Sequence, residues 1–490
     1  MASIGKIARR SFLIGSVAIV GGVAFGVYKA RETPPNPLSP ADGAALTPYV
    51  LINADGVTII TPRAEMGQGI HSTLAAMVAE ELDVAWEDIT TLHGPPAQAY
   101  YNGALMGAGL PFKDYALTDM QHSLKQALSV LPKMMSLQVT GGSTSTVDGF
   151  DKMRMAGATA RETLKEAAAR RLNVARGDLT TEAGHVIAPD GTRLSYVDLA
   201  PEAAMIDPPQ DILLRPAADW KYLGKSMPRL DIPAKVTGTA TFGIDVRVEG
   251  MRFAALRRNP ALGGGMRSFD PAPALAMTGV ERVVDLGDGI AVVANNTWIA
   301  MQAAEAVEID WAPSPNPATT EDAFAVIAAS FDGSPNSTMR DDGNPEEIPQ
   351  GATEVSAEYR LPYLAHATME PMNATAHMTA DGLTIWCGNQ APVIIRDKCA
   401  EATGLSPEQV TVHTTLLGGG FGRRGESDYA VYAARLAAAM PGTPVQLTWS
   451  REEDMRHDFY RPGAIARFRG AVKDGRAVLL DGQIAAQSTT

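Results

Sequence analysis

The run Gly418-Gly419-Gly420-Phe421-Gly422-Arg423-Arg424 most constrains the fold, because it joins a strand-like stretch, Val410 to Leu417, to an Ala-rich helical pattern from Asp428 to about Met440. Glycines let the backbone take positive φ and approach a ligand closely, and a helix start flanked by two guanidinium groups favours an anion. This is the outline of a phosphate-binding loop, and its type is open. Gly420 to Gly425 satisfies a bare GxGxxG pattern, and the strand-like Val445 to Trp449 followed by Glu452 would complete a βαβ dinucleotide fingerprint. Two bulky arginines at the pyrophosphate positions argue against that reading. A P-loop fails at Gly224-Lys225-Ser226, where Asp219 replaces the first glycine. The plainer alternative is a tight strand-to-helix turn with exposed arginines.

Two further stretches repeat the arrangement. Leu51 to Ile60 reads as two short strands around Asp55-Gly56, and Glu65-Met66-Gly67-Gln68-Gly69-Ile70-His71-Ser72 then opens a helix with Leu74, Met77, Val78 and Leu82 on one face. Ser72 is the expected N-cap, and the Gln68 amide, set between glycines, is free to donate to a ligand oxygen. Thr140-Gly141-Gly142-Ser143-Thr144-Ser145-Thr146 precedes a helical pattern from about Asp148 to Leu172. Its hydroxyls and amides suit phosphate oxygens, the alternative being a flexible capping segment. Three such loops without a complete Walker motif point to one extended phosphate-bearing cofactor gripped from several sides.

With 490 residues, 45% hydrophobic and 20% charged, the chain can build two or more domains. A formal charge of -13, with no basic cluster beyond pairs such as Arg257-Arg258 and Arg423-Arg424, argues against a nucleic-acid surface and fits a small or neutral substrate better. Arg9-Arg10 ahead of the apolar run Phe12 to Tyr28, closed by Lys29 and Arg31, reads as a twin-arginine export signal (1–30). An ordinary signal or a membrane anchor is the alternative, although the run falls short of the ~20 residues that span comfortably. Residues 31–48 form a Pro-rich linker. Only Cys387 and Cys399 are present, too few for a Cys₄ iron–sulfur cluster, so redox chemistry must pass electrons to another chain. Whether they form a disulfide is open. From about Leu230 to Trp311 the texture becomes that of a small α+β domain. A Pro, Asn, Asp and Gly-rich connector follows from Pro313 to Pro349, and strand signals resume at Val355.

Glu65 to Gly69, Gly141 to Ser145, Ala365-His366-Ala367-Thr368-Met369-Glu370-Pro371-Met372-Asn373, Trp386-Cys387-Gly388-Asn389-Gln390-Ala391-Pro392 and Gly418 to Arg424, in that order, resemble the molybdenum hydroxylases of the xanthine dehydrogenase family. The large, molybdopterin-binding subunits of the isoquinoline 1-oxidoreductase type, whose relatives include aldehyde dehydrogenases, are the most similar branch. The resemblance implies a mixed α+β and α/β multi-domain fold. Molybdopterin-binding segments would occupy 49–210 and 351–490, with an α/β hammerhead domain over 225–315 and a connector over 316–350. It implies a molybdenum–molybdopterin cofactor, in the cytosine dinucleotide form usual in bacteria, held by Gly67, Gln68, Gly69, Gly142, Ser143, Thr144, Ser145, Gly419, Gly420, Phe421, Gly422 and Arg423. The metal is carried by the cofactor's dithiolene, so no protein metal ligand is expected.

His366 and Glu370 would line the substrate pocket, or else be a structural histidine and a salt-bridged carboxylate. The implied reaction is hydroxylation of an N-heterocycle or aldehyde by water, with a small [2Fe-2S] subunit and a cytochrome c acceptor as partners. The implied location is the periplasm, with membrane contact through the N-terminal segment. The family's general base, a glutamate in a Gly-Glu-x-Gly-x-Pro loop, has no counterpart here, since Gly425-Glu426-Ser427-Asp428 does not match. The base is therefore expected beyond residue 490, and no catalytic base is assigned. The chain would be the front part of a longer or split subunit, or a piece unable to turn over alone. An exported flavin or nicotinamide oxidoreductase and a non-catalytic cofactor-binding protein remain as other readings.

Overall fold

The computed structural model describes residues 32–487 apart from 109, 111 and 113. The export signal expected at 1–30 lies outside them. The described residues form two compact units, one of 32–251 with 373–446, the other of 252–372 with 447–487. The first therefore takes residues 225–251, which the sequence reading gave to the hammerhead. The single segment expected over 351–490 is shared between both units.

In the first unit, strands Ala44–Thr47, Val50–Asn53, Gly56–Thr61 and Ile89–His93 form a sheet in chain order, with the last pair parallel. The Asp55-Gly56 turn is as expected: Asn53 Oδ1 accepts the Asp55 amide at 3.1 Å, and Gly56 takes φ +116°. Helix Ile70–Leu82 crosses between the two parallel strands and packs on the 28-residue helix Ser145–Leu172. Their approach is close because Gly157 faces Val78, where an added Cβ would stand 2.5 Å from the carbonyl oxygen. The N-cap of Ile70–Leu82 is Gly69, at φ +84°, rather than Ser72. Ser72 sits in the first turn, where its hydroxyl accepts the Leu230 amide at 2.9 Å.

The later part of this unit holds strand Asn373–Thr379 antiparallel to Gly382–Cys387, which runs parallel to Val410–Thr414. Helices Pro392–Thr403 and Asp428–Ala438 accompany them. Strand Val445–Thr448 lies beyond Asn373–Thr379, so two strands separate it from Val410–Thr414. Gly420 to Gly425 thus does not open a βαβ unit between neighbouring strands, and the dinucleotide fingerprint falls. Cys387 and Cys399 are both buried and are not joined in a disulfide.

In the second unit, Val280–Asp285, Gly289–Ala294 and Arg252–Arg258 are antiparallel neighbours, and helix Thr297–Ala306 buries Ala300, Ala303 and Ala304 against the sheet. Met266–Asp270 pairs with Glu308–Trp311. The connector contains helix Thr320–Ala329, which sequence reasoning missed. Thr319 caps it by accepting the Asp322 amide at 3.1 Å, and Phe324 and Ile327 bury against Ile465 and Ala485. A three-stranded antiparallel sheet of Thr353–Leu361, Ala464–Lys473 and Arg476–Ala486 completes the unit.

Candidate cofactor site

The first loop is organised by Glu65, whose carboxylate is buried. Its Oε1 accepts the amides of Gly67 (2.9 Å) and Gly69 (3.1 Å), and its Oε2 that of His71 (3.1 Å). A carboxylate four to six residues upstream thereby satisfies amides at the helix start that Gly69, lacking a side chain, cannot reach. Burial pushes the His71 imidazole below its ordinary pKa, against the opposing pull of Glu65. The Gln68 amide is not free, as the sequence reading had it. Its Oε1 accepts the Met66 amide at 2.8 Å and its Nε2 donates to the Ala64 carbonyl at 2.9 Å, so it closes the loop on itself.

In the second loop, Gly142 and Ser143 take φ +62° and +56° in succession. Thr144 is buried and occupied within the loop: its hydroxyl donates to Gly141 O at 2.7 Å and accepts Asn102 Nδ2 at 2.7 Å. Ser143, Ser145 and Thr146 instead face a cavity of about 520 Å³ at the start of the long helix. The unsatisfied amides of a helix N-terminus make that wall receptive to an anion.

The third loop corrects the expectation of two guanidinium groups offered to a ligand. Arg423 and Arg424 are 1% and 0% exposed. Arg423 makes a bidentate pair with Asp428, both contacts at 2.8 Å, and Arg424 donates to the carbonyls of Gly419 and Gly388. The arginines brace the loop from behind. Phe421, at φ +55°, presents a ring 75% exposed at the cavity wall beside Gly422.

Gln390 joins the loops, and sequence reasoning did not single it out. Its amide donates to Arg424 O, its carbonyl accepts the Thr140 amide and its Nε2 donates to Thr140 O, each at 2.8 Å. The first loop is tied in by Leu417 N to Glu65 O at 3.1 Å and Ala64 N to Thr140 Oγ1 at 2.8 Å. The Gln390 Oε1 is buried at the cavity without a partner. A Cβ on Gly420 would come within 2.6 Å of Met66 Sδ and 2.8 Å of that Oε1.

These residues fit a flat N–H-bearing ring with a phosphate. An orphaned acceptor awaits a donor, a glycine leaves room for close approach, and hydroxyls cluster at a helix start. No group of three or more His, Cys, Asp or Glu converges among the described residues.

His366 and Glu370 belong to the second unit, whereas all the cavity-lining residues come from the first. His366 Nδ1 lies 2.9 and 3.0 Å from the two Asp458 oxygens, which orients the ring, and its amide donates to the same carboxylate. Glu370 is buried, and its carbonyl accepts the Thr368 hydroxyl at 2.7 Å.

Family models for the molybdopterin cofactor-binding domain match residues 14–129 and 331–489. Over 99% of its length the chain is 30% identical to isoquinoline 1-oxidoreductase subunit beta of Brevundimonas diminuta, of which it covers 64%. Over 98% it is 31% identical to the membrane-bound aldehyde dehydrogenase [pyrroloquinoline-quinone] of Gluconacetobacter polyoxogenes, of which it covers 60%. The chain thus spans less than two thirds of the length of these relatives. Among solved structures, quinoline 2-oxidoreductase from Pseudomonas putida 86 matches 53% of this chain and 39% of its own with 20% identity and a TM-score of 0.42. Two molybdopterin-binding matches and a relationship along nearly the whole chain show that it belongs to the molybdenum hydroxylase (xanthine dehydrogenase) family.

Proposed function

We propose that the chain is the molybdopterin-binding, catalytic subunit of an exported molybdenum hydroxylase. It oxidises an N-heterocycle or an aldehyde with water as oxygen source, and passes electrons to a small [2Fe-2S] subunit and on to an acceptor such as a cytochrome c. The observation that carries this reading is the convergence of three loops, joined through Gln390, on one cavity that contains its unpaired Oε1. Gln390 Oε1 would accept an N–H of the pterin, while Gly420 gives the ring room and Phe421 walls it. Ser143, Ser145 and Thr146, at the start of helix Ser145–Leu172, would hold the phosphates, and a pyrophosphate there suits the cytosine dinucleotide form. When bound, the molybdenum cofactor supplies a two-electron oxidation coupled to transfer of a water-derived oxygen atom.

The substrate classes rest on the names of the two relatives, one an isoquinoline oxidoreductase and the other an aldehyde dehydrogenase. Export to the periplasm, with or without a retained anchor, rests on Arg9-Arg10 and the apolar run behind them. The residue that takes a proton from water is not assigned within this chain.

Metal and cofactor analysis of the full chain purified with its partner tests the reading. One molybdenum and one pterin per chain are expected. A folded complex that contains pyrroloquinoline quinone, flavin or no cofactor in their place would sink it.

A further inference from the structure

Residues 221–231, which have no regular secondary structure, run as a strap along helix Ile70–Leu82. Glu80 on that helix accepts the amides of Lys221, Tyr222 and Leu223 at 2.7–3.1 Å, and Trp86 Nε1 donates to Pro228 O at 3.1 Å. Where the strap reaches the helix start, Arg229 meets the first cofactor loop. Its Nη1 donates to Gly67 O at 2.8 Å and its Nη2 to Glu65 Oε1 at 3.2 Å. The same guanidinium is held in plane by Asp231, through Nε at 2.9 Å and Nη2 at 2.5 Å. A Cβ on Gly69 would touch the Arg229 Cζ at 3.5 Å, so the side chain also packs over the loop.

Glu65 needs this partner. A carboxylate with no exposed surface that already orders three loop amides requires a counter-charge, and the next cation, Lys235, stands 3.8 Å away. Arg229 supplies the charge and binds the Gly67 carbonyl as well. Only a fork of several N–H groups does both.

We propose that Arg229 is a positioning residue for the cofactor loop, bridging Gly67, Glu65 and Asp231 so that Met66 to Gly69 is already shaped to hold the cofactor before it binds. This rests on the molybdopterin reading of the cavity and adds that the strap sets how long the cofactor stays. The test compares wild type with Arg229→Ala, Arg229→Lys and Asp231→Asn in the full chain. Two readouts are taken: hydrogen exchange at the Gly67, Gly69 and His71 amides in cofactor-free protein, and release of molybdenum and pterin from loaded protein.

In Arg229→Ala the loop amides should exchange about tenfold faster and the cofactor should leave about tenfold faster, the scale of one lost charge-assisted hydrogen bond. Arg229→Lys keeps the charge and should restore the melting temperature, but neither amide protection nor retention. Asp231→Asn, which keeps Arg229 but loosens its hold, should fall between wild type and Arg229→Ala in both readouts, and it decides the matter with Arg229→Lys if Arg229→Ala does not fold. Loop amides within a factor of two of wild type would overturn the proposal, as would full restoration by lysine. If the wild-type complex holds no molybdenum the proposed function falls, while the amide measurement still decides whether Arg229 shapes the loop.

Discussion

A side chain at Gly420 would have to displace its neighbours, Met66 and Gln390, which both line the cavity. Gly420→Ala would drive a methyl against Met66 Sδ and Gln390 Oε1, side-chain ends that can move aside, so it is expected to cost no more than about 1 kcal/mol in urea unfolding while displacing both groups and lowering the molybdenum content of purified protein. Unchanged metal content would remove Gly420 from the site. His93 carries a different prediction. Burial pushes its imidazole down to about 3, with the charges of His71 and Arg63 acting the same way and the Gly94 carbonyl, 2.7 Å from Nδ1, opposing them. The unfolded chain therefore binds the extra proton between about pH 6.5 and 3, so stability is full above 6.5 and is lost as pH falls. Between pH 7 and 5 that loss is about 2 kcal/mol from this residue, and His93→Gln should flatten the slope of unfolding free energy against pH by that amount. At this scale the glycines of the loops were legible because positive φ selects them. The roles of Arg423 and Gln68 were not. A charge or an amide in a sequence does not reveal that its partner is Asp428 or a carbonyl four residues back. Gln390, a single amide with no periodicity, left no signal outside its motif.

Helices and strands were read largely as they occur, because apolar spacing and Gly turns are local signals. Ser145–Leu172, Asp428–Ala438 and Val410–Thr414 all fall within a few residues of where the pattern put them. Helix Thr320–Ala329 was hidden by the Pro and Asn composition on either side, although its Thr319 and Asp322 form a legible cap. The N-cap of Ile70–Leu82 was misread for a tertiary reason: Glu65, not Ser72, meets its first amides. The contact of this helix with Ser145–Leu172 is the tightest test of packing. Gly157→Ala sets a methyl 2.5 Å from the Val78 carbonyl oxygen, where backbone cannot yield as a side-chain end does. A loss of about 1–3 kcal/mol is expected by thermal or urea unfolding, and a neutral outcome would mean that the helices separate more easily than their contact suggests.

At the scale of the molecule, the pairing of distant segments was beyond the sequence. Nothing local announces that residues 373–446 return to the unit begun by the first strands, or that a break falls at Arg252. The cofactor loops were readable one at a time, but their meeting depends on Gln390 and on the Leu417 to Glu65 bond, which join residues hundreds of positions apart. A chain ended at Met372 should therefore bind no molybdopterin and lose protection at the Ala64 amide and the first-loop amides, by cofactor analysis and hydrogen exchange. Retention of the cofactor would show that the first two loops suffice. The shared hub also sets an order of events in the cell. While a ribosome moves from the first loop to the third, roughly 20–70 s at about 5–20 residues per second, the nascent chain has two walls of a pocket and no third. Cofactor loading then belongs to the period after Arg424 has emerged, and whatever inserts the group must recognise a finished fold rather than a growing chain.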